Sequence, residues 1–197
     1  LVGVGGLDET SVTEDFATSV KLHLSGWKSL YYGETYVMGL GPETLQAYFR
    51  QQYRWARGTL GVGLGLLKRL VTAPRSLSFF QWLDYGLSGT YYFVGWSYLI
   101  LMACPLFYIV FGIPSYFVRA EIYAAAFLPY LLFAIMVFVG GLRRRHYSLG
   151  HIIQGQLLGL LAAPVYVVAS LAAIAGVRGS FGITPKGTRG SPPLLSY

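Results

Sequence analysis

Apolar residues recur along this chain on two scales. Over the first third they return at helical intervals, and Phe16, Val20, Leu24 and Trp27 make one stripe. Ser11 and Glu14 have capping-box spacing, which predicts a helix beginning near Val12, and Gly26 is its expected stop. Residues 29–40 hold Leu30, Tyr31, Tyr32, Tyr36, Val37 and Met38, a strand-prone set broken by Gly33. Leu1–Gly6 reads as a strand entering a loop. Gly41-Pro42-Glu43-Thr44 punctuates the chain before a second helix over about 43–71. Its Gly61, Gly63 and Gly65 weaken helix propensity but suit close packing against membrane helices.

Beyond Thr72-Ala73-Pro74-Arg75 the scale changes. Residues 76–90 are amphipathic, with Phe79, Phe80, Trp82 and Leu83 beside Asp84, and are expected to lie along a membrane surface. Tyr91–Gly112 is 22 residues without a charge, and Ile122–Leu142 is 21. A spanning helix needs about 20. Pro105 and Pro129 inside these stretches are tolerated better in a membrane helix than in a soluble one. Tyr91, Tyr92, Trp96 and Tyr98 form an aromatic cluster suited to the headgroup level. His151–Val177 is also long enough to cross, but carries Gln154, Gln156 and Pro164.

Composition sharpens this picture. Of 197 residues, 54% are hydrophobic and 12% charged, with a mean hydropathy of +0.52. A soluble domain is about one quarter charged. A disordered chain, a nucleic-acid arm and most soluble enzymes are thereby excluded. The net charge of +7 is assigned to anionic membrane surfaces and phosphate-bearing substrates rather than to nucleic acid. Six of the eight acids fall in residues 1–75, the water-facing part. The single Cys104 has no partner for an intramolecular disulfide and reads as apolar filler, and the three histidines lack metal-ligand spacing. No charged leader precedes a short apolar core, so no signal peptide is expected. The opening at Leu1 reads as a segment of something longer.

Three constellations offer chemistry. In Thr13-Glu14-Asp15 the acids suit the first turn of any helix, where the dipole rewards them. The same position suits Asp15 as a general base for a sugar hydroxyl. Gln51, Arg54 and Trp55 stand at i, i+3 and i+4 and share a helix face. An amide, a guanidinium and a flat aromatic suit a phosphorylated sugar, with Arg on phosphate and Trp stacked on a pyranose. The competing readings are a core Trp beside surface polar residues, and Arg50, Arg54 and Arg57 meeting anionic lipid. In Phe181-Gly182-Ile183-Thr184-Pro185-Lys186-Gly187 a hydroxyl and an ammonium two residues apart suit a diphosphate, against the plainer reading of a basic juxtamembrane tail.

Taken together, the three resemble one family. Gly5-Gly6-Leu7-Asp8-Glu9 leading into Thr13-Glu14-Asp15, then Gln51-x-x-Arg54-Trp55, looks like the C-terminal part of a processive family 2 glycosyltransferase, the group of cellulose, chitin and hyaluronan synthases. Phe181-x-Ile183-Thr184-x-Lys186 is similar to the gating-loop motif of bacterial cellulose synthase, with Ile183 where Val is usual. The resemblance runs from about residue 3 to 187. It implies an α+β fragment of a GT-A glycosyltransferase domain followed by an α-helical transmembrane region with two spans plus interface helices. The implied organisation is 1–75 as the C-terminal part of the cytoplasmic domain with an interface helix, 76–177 as the membrane region, and 178–197 as a cytoplasmic gating-type loop and tail. Within the membrane region the implied spans are about 91–112 and 122–142, with an interface helix at about 151–177.

The implied activity is inverting transfer of a hexose from a nucleotide sugar to a growing polysaccharide at the plasma membrane, with the catalytic part cytoplasmic and polymer export coupled. Asp15 would be the base. Glu14, Gln51, Arg54 and Trp55 would hold substrate, and Thr184 and Lys186 would close over the nucleotide. A divalent metal, usually Mg²⁺, would be held by an Asp-x-Asp motif that this sequence lacks, so its ligands are expected elsewhere and none here. Trp55 and Lys186 must then face the same side, which requires an even number of crossings between them. Arg143-Arg144-Arg145 after the second stretch fits the cytoplasmic side, so 151–177 is expected not to cross. Implied partners are the nucleotide-sugar donor, a polysaccharide or glycolipid acceptor and the lipid bilayer, with no nucleic acid. The alternatives are a family 2 transferase adding one sugar to a lipid or short acceptor, and a transporter or channel subunit without chemistry.

Overall fold

The computed structural model describes residues 2–34, 36–37, 39–114, 117–145 and 147–177. Six α-helices dominate: α1 Glu14–Leu24, α2 Leu45–Thr72, α3 Phe79–Thr90, α4 Val94–Phe111, α5 Ala120–Arg143 and α6 Leu149–Ile174. Among the described residues there is no β-strand. The expectation of an α+β fragment of a GT-A domain is therefore overturned, and the chain is almost entirely helical. Residues 29–40 show why. A strand needs a neighbour to take its backbone hydrogen bonds, and the described residues of this segment, with Leu30, Tyr31 and Val37 exposed, have none. Its order is local, as in the stacked rings of Tyr32 and Tyr36 at 6.0 Å. At the N-terminus, Val2–Val4 is a 3₁₀ turn followed by left-handed Gly5 and Gly6, not a strand.

Helix ends follow their local chemistry. Ser11 does not cap a helix at Val12; its Oγ accepts the Thr13 N–H at 3.2 Å, and α1 starts after Thr13. Gly26, at φ 83°, ends α1 with the Gly26 N–H on His23 O and the Trp27 N–H on Leu22 O, a Schellman closure. Thr44 caps α2 by accepting the Ala47 N–H at 3.1 Å. Ser78 and Gln81 make a reciprocal capping box on α3.

The chain divides into two compact units. One comprises residues 1–95 and, from 164 onward, the later half of α6. Its core is Val20 of α1, Leu66 of α2, Leu77 and Tyr85, with Phe16, Leu24, Val62 and Trp82 packed around it. Helices α2 and α3 touch backbone to backbone at two glycines: a Cβ built on Gly63 would lie 3.4 Å from the Gly89 Cα. The glycine run in α2 thus serves close helix packing at Gly63, while Gly61 and Gly65 face open space.

The other unit, residues 96–163, contains most of α4, all of α5 and the first half of α6. No residue of α5 is buried. Three helical stretches are long and apolar enough to cross a membrane, as the sequence pattern leads one to expect: Phe79–Phe111, Ala120–Arg143 and Leu149–Ile174. The first comprises α3, the 3₁₀ turn Tyr91–Phe93 and α4 in succession. The Tyr166–Gln52 hydrogen bond ties the later half of α6 to α2. Pro105, Pro129 and Pro164 all sit inside helices.

Candidate functional site

The first unit joins the two motifs of the first half through one contact. Thr13, the residue before α1, is only 6% exposed. A Cβ built on Gly58 of α2 would come within 2.8 Å of both its Cγ2 and Oγ1 and within 3.1 Å of its backbone N. Only glycine leaves room for the α1 N-terminus to rest on the α2 backbone. Gly58 stands three residues past Trp55 and one turn past Arg54, so this seat lies next to the Gln51–Arg54–Trp55 face.

At the seat, Glu14 is half-buried and Asp15 is exposed on the first turn of α1. The Asp15 Oδ1 accepts the Phe16 N–H at 2.7 Å, and its backbone carbonyl accepts the Ser19 hydroxyl at 2.9 Å. On α2, Gln51 and Arg54 are half-buried, and Trp55 leaves 41% of its surface open, enough to stack on a flat ligand. Arg57 lies over the Tyr53 ring at 6.0 Å.

The same unit holds a tyrosine cluster. Tyr92 lies within electrostatic reach of Asp15. Its ring meets Tyr91 and Tyr166 edge-on, each with centroids 5.2 Å apart. The Tyr166 hydroxyl donates to the buried Gln52 Oε1 at 2.9 Å. Burial pushes the Tyr48 phenol above its ordinary pKa; Tyr166 opposes this and Tyr91 adds to it. The cluster offers aromatic faces and hydroxyls within one compact unit.

The preceding segment is pinned to α1. The Asp8 N–H donates to Thr18 Oγ1 at 2.9 Å, and the Asp8 carboxylate accepts from the Thr10 hydroxyl and N–H. These Thr10 bonds, with Lys21 nearby, hold the Asp8 carboxyl below its ordinary pKa.

Of the residues singled out from the sequence, Glu14, Asp15, Gln51, Arg54 and Trp55 fall on two helices joined at the Thr13–Gly58 contact. Thr184 and Lys186 lie outside the described residues. Gly58, Gln52, Tyr48 and Tyr166 escaped the sequence reading. The signals were faint: a helical glycine three residues past Trp55, and a Tyr48–Gln52 pair at i, i+4. Among the described residues no group of three or more His, Cys, Asp or Glu is placed to hold a metal ion.

Comparison with known proteins gives the family of the chain. Residues 2–139 match the family model "Glycosyl transferase family group 2". The chain is 30% identical to the UDP-forming cellulose synthase catalytic subunit of Pseudomonas fluorescens over 95% of its own length, which is 24% of that protein. Against the UDP-forming cellulose synthase 1 catalytic subunit of Komagataeibacter xylinus it is 32% identical, over 58% of this chain and 17% of the relative. Against cellulose synthase 2 of Novacetimonas hansenii it is 30% identical, over 57% of this chain and 7% of the relative. The chain thus spans about a quarter or less of the length of these relatives. No solved structure matches. On the family match over residues 2–139, the chain belongs to glycosyltransferase family 2, in the cellulose-synthase-related superfamily.

Proposed function

We propose that this chain forms the acceptor-side and membrane portion of an inverting glycosyltransferase, which moves a hexose from a nucleotide sugar to a growing polysaccharide on the cytoplasmic face of the plasma membrane and passes the polymer outward. The observation that carries this reading is the seating of Thr13 on Gly58, which fixes the acidic turn of α1 beside the Gln51–Arg54–Trp55 face of α2.

In the proposed reaction the acceptor hydroxyl gives its proton to the Asp15 carboxylate as its oxygen attacks the anomeric carbon of the donor. The anomeric carbon–oxygen bond to the diphosphate breaks, and the nucleoside diphosphate leaves with that electron pair. Attack opposite the leaving group inverts the anomeric centre. Arg54 pairs with the diphosphate and Trp55 stacks on the acceptor sugar, while Gln51 and Glu14 bind its hydroxyls. Thr184 and Lys186 close over the nucleotide.

The test is the full-length protein in membranes, assayed against a panel of nucleotide sugars. Polymer is expected from one donor, and Asp15→Asn should lower transfer by about 10²–10⁴-fold while leaving donor binding intact. Near-normal elongation by Asp15→Asn would remove Asp15 from the chemistry. A glycolipid carrying a single sugar would replace the polymer as product, and no transfer from any donor would refute the reading.

A further inference from the structure

An apolar groove of about 150 Å³ runs between α2 and α3, lined among others by Leu67, Leu70, Trp82, Tyr85, Gly86 and Phe93. A dry apolar cavity of about that volume accepts a hydrocarbon the size of benzene. Beside it α3 presents Phe79 and Phe80, each more than 70% exposed. These residues open the stretch Phe79–Phe111, which has the length and hydropathy of a membrane span.

The Leu70–Trp82 end of the groove is basic. Trp82 Nε1 donates to the Pro74 carbonyl at 2.8 Å, fixing the 74–76 turn against that end. Arg69 Nε donates to Ser76 Oγ at 3.2 Å, which draws its guanidinium onto the same turn. Arg75 lies in that turn, Lys68 and Arg69 are in the last two turns of α2, and all three are exposed; Asp84, exposed on α3, is the one acid on the two helices and their connecting turn. Hydrocarbon-sized space ending at three cations matches one chemistry, an acyl chain joined to an anionic headgroup.

We propose that this groove binds an anionic phospholipid, with part of one acyl chain against Leu67, Trp82 and Gly86 and the phosphate at Lys68, Arg69 and Arg75. Its inner wall reaches α1. The Tyr85 hydroxyl is hydrogen-bonded to His23 Nδ1 at 2.6 Å, and its ring meets Phe16 edge-on at 5.6 Å. A bound chain therefore packs against the residue that anchors the helix bearing Asp15.

The experiment uses full-length protein in mixed vesicles, with Trp82 left as the sole tryptophan of this segment by Trp27→Phe, Trp55→Phe and Trp96→Phe. Any tryptophan elsewhere in the protein is changed likewise. The probe is quenching of Trp82 by phosphatidylglycerol or phosphatidylcholine carrying brominated acyl chains. Brominated phosphatidylglycerol should quench preferentially, and each cation neutralised among Lys68→Gln, Arg69→Gln and Arg75→Gln should lower that preference by up to about five-fold. Gly86 lines the groove and a Cβ on it meets nothing within 4 Å, so Gly86→Leu is the variant chosen to fill the groove. It should reduce quenching by both lipids. Equal quenching by the two lipids would overturn the proposal, as would quenching that Gly86→Leu leaves unchanged. Protection of Trp82 from both lipids would mean that another chain segment or a second copy covers the groove, and would overturn it too.

Discussion

Gly58→Ala adds one methyl group at the point where α2 carries the N-terminus of α1. The new Cβ would stand 2.8 Å from Thr13 Cγ2 and Oγ1, where ordinary contact begins near 3.4 Å, so about 0.6 Å must be found. Thr13 has little freedom to yield. It is buried, its hydroxyl lies 3.1 Å from Ser11 Oγ, and its backbone N is itself 3.1 Å from the added atom. The start of α1 must therefore move away from α2. Overpacking of this kind costs about 1–3 kcal/mol. Replacing a helical glycine by alanine returns about 1 kcal/mol of helix propensity. Net destabilisation is then about 0–2 kcal/mol, small enough for the protein to fold. Catalysis is far less tolerant, since a displacement near 1 Å between reacting groups costs about a hundred-fold. Gly58→Ala should lower sugar transfer by about ten- to a hundred-fold with donor affinity kept. Gly61→Ala, whose Cβ meets nothing, should keep full activity and gain slightly in stability. Transfer rates in membranes and thermal midpoints in detergent measure both. A Gly58→Ala enzyme at wild-type rate would refute the claim that this seat positions the acidic turn.

Other expectations follow from the tyrosine cluster and the terminal loop. Tyr166→Phe strands the buried Gln52 amide and should cost about 1–3 kcal/mol, with Gln52→Leu restoring part of the loss; an unchanged thermal midpoint for Tyr166→Phe would show that the bond carries no stability. Because the folded-state pKa of Tyr48 is raised, its contribution is fully present below the unfolded phenol value near 10 and is lost as pH rises through the folded value. Tyr48→Phe should flatten that alkaline limb in a pH-dependent melt, and an identical limb would assign it to other groups. Lys186→Ala should weaken nucleoside diphosphate binding by about ten- to a hundred-fold, and Thr184→Val should also weaken it, with membrane insertion kept. Unchanged calorimetric affinity in both variants would make residues 181–187 a basic tail.

The sequence made the helices legible wherever a local rule sufficed. Gly26 stops α1, Thr44 opens α2 after the Gly41–Thr44 punctuation, and the uncharged stretches became α4 and α5. It misled where local preference needs a distant partner. Tyr31, Tyr32 and Val37 favour a strand, but a strand is a property of two segments, and no second one is present among the described residues. The same limit hid Gly58 and Tyr166. A glycine in a helix shows lost propensity, not the threonine that will rest on it, and Gln52 gives no sign of a partner on α6. Arg54 and Trp55 stood out because their chemistry is unusual on one helix face, whereas the contact that gives that face a neighbour is made by hydrogen atoms in place of a side chain.

The Tyr166–Gln52 hydrogen bond joins residues 114 positions apart. Synthesis at about 5–20 residues per second leaves roughly 6–23 s between the appearance of the two partners. During that interval α2 exists with an amide destined for burial and nothing to receive it. Water, or a chaperone that tolerates a half-made membrane protein, must hold Gln52 until α6 arrives. The surface around Tyr48 and Tyr92 is thus completed last, after the helices that precede α6 have been made. A nascent chain halted before residue 166 would carry the acidic turn and the Gln51–Trp55 face with their seat at Gly58, but without the ring that closes the cluster. Assembly of this region is ordered in time by its own topology.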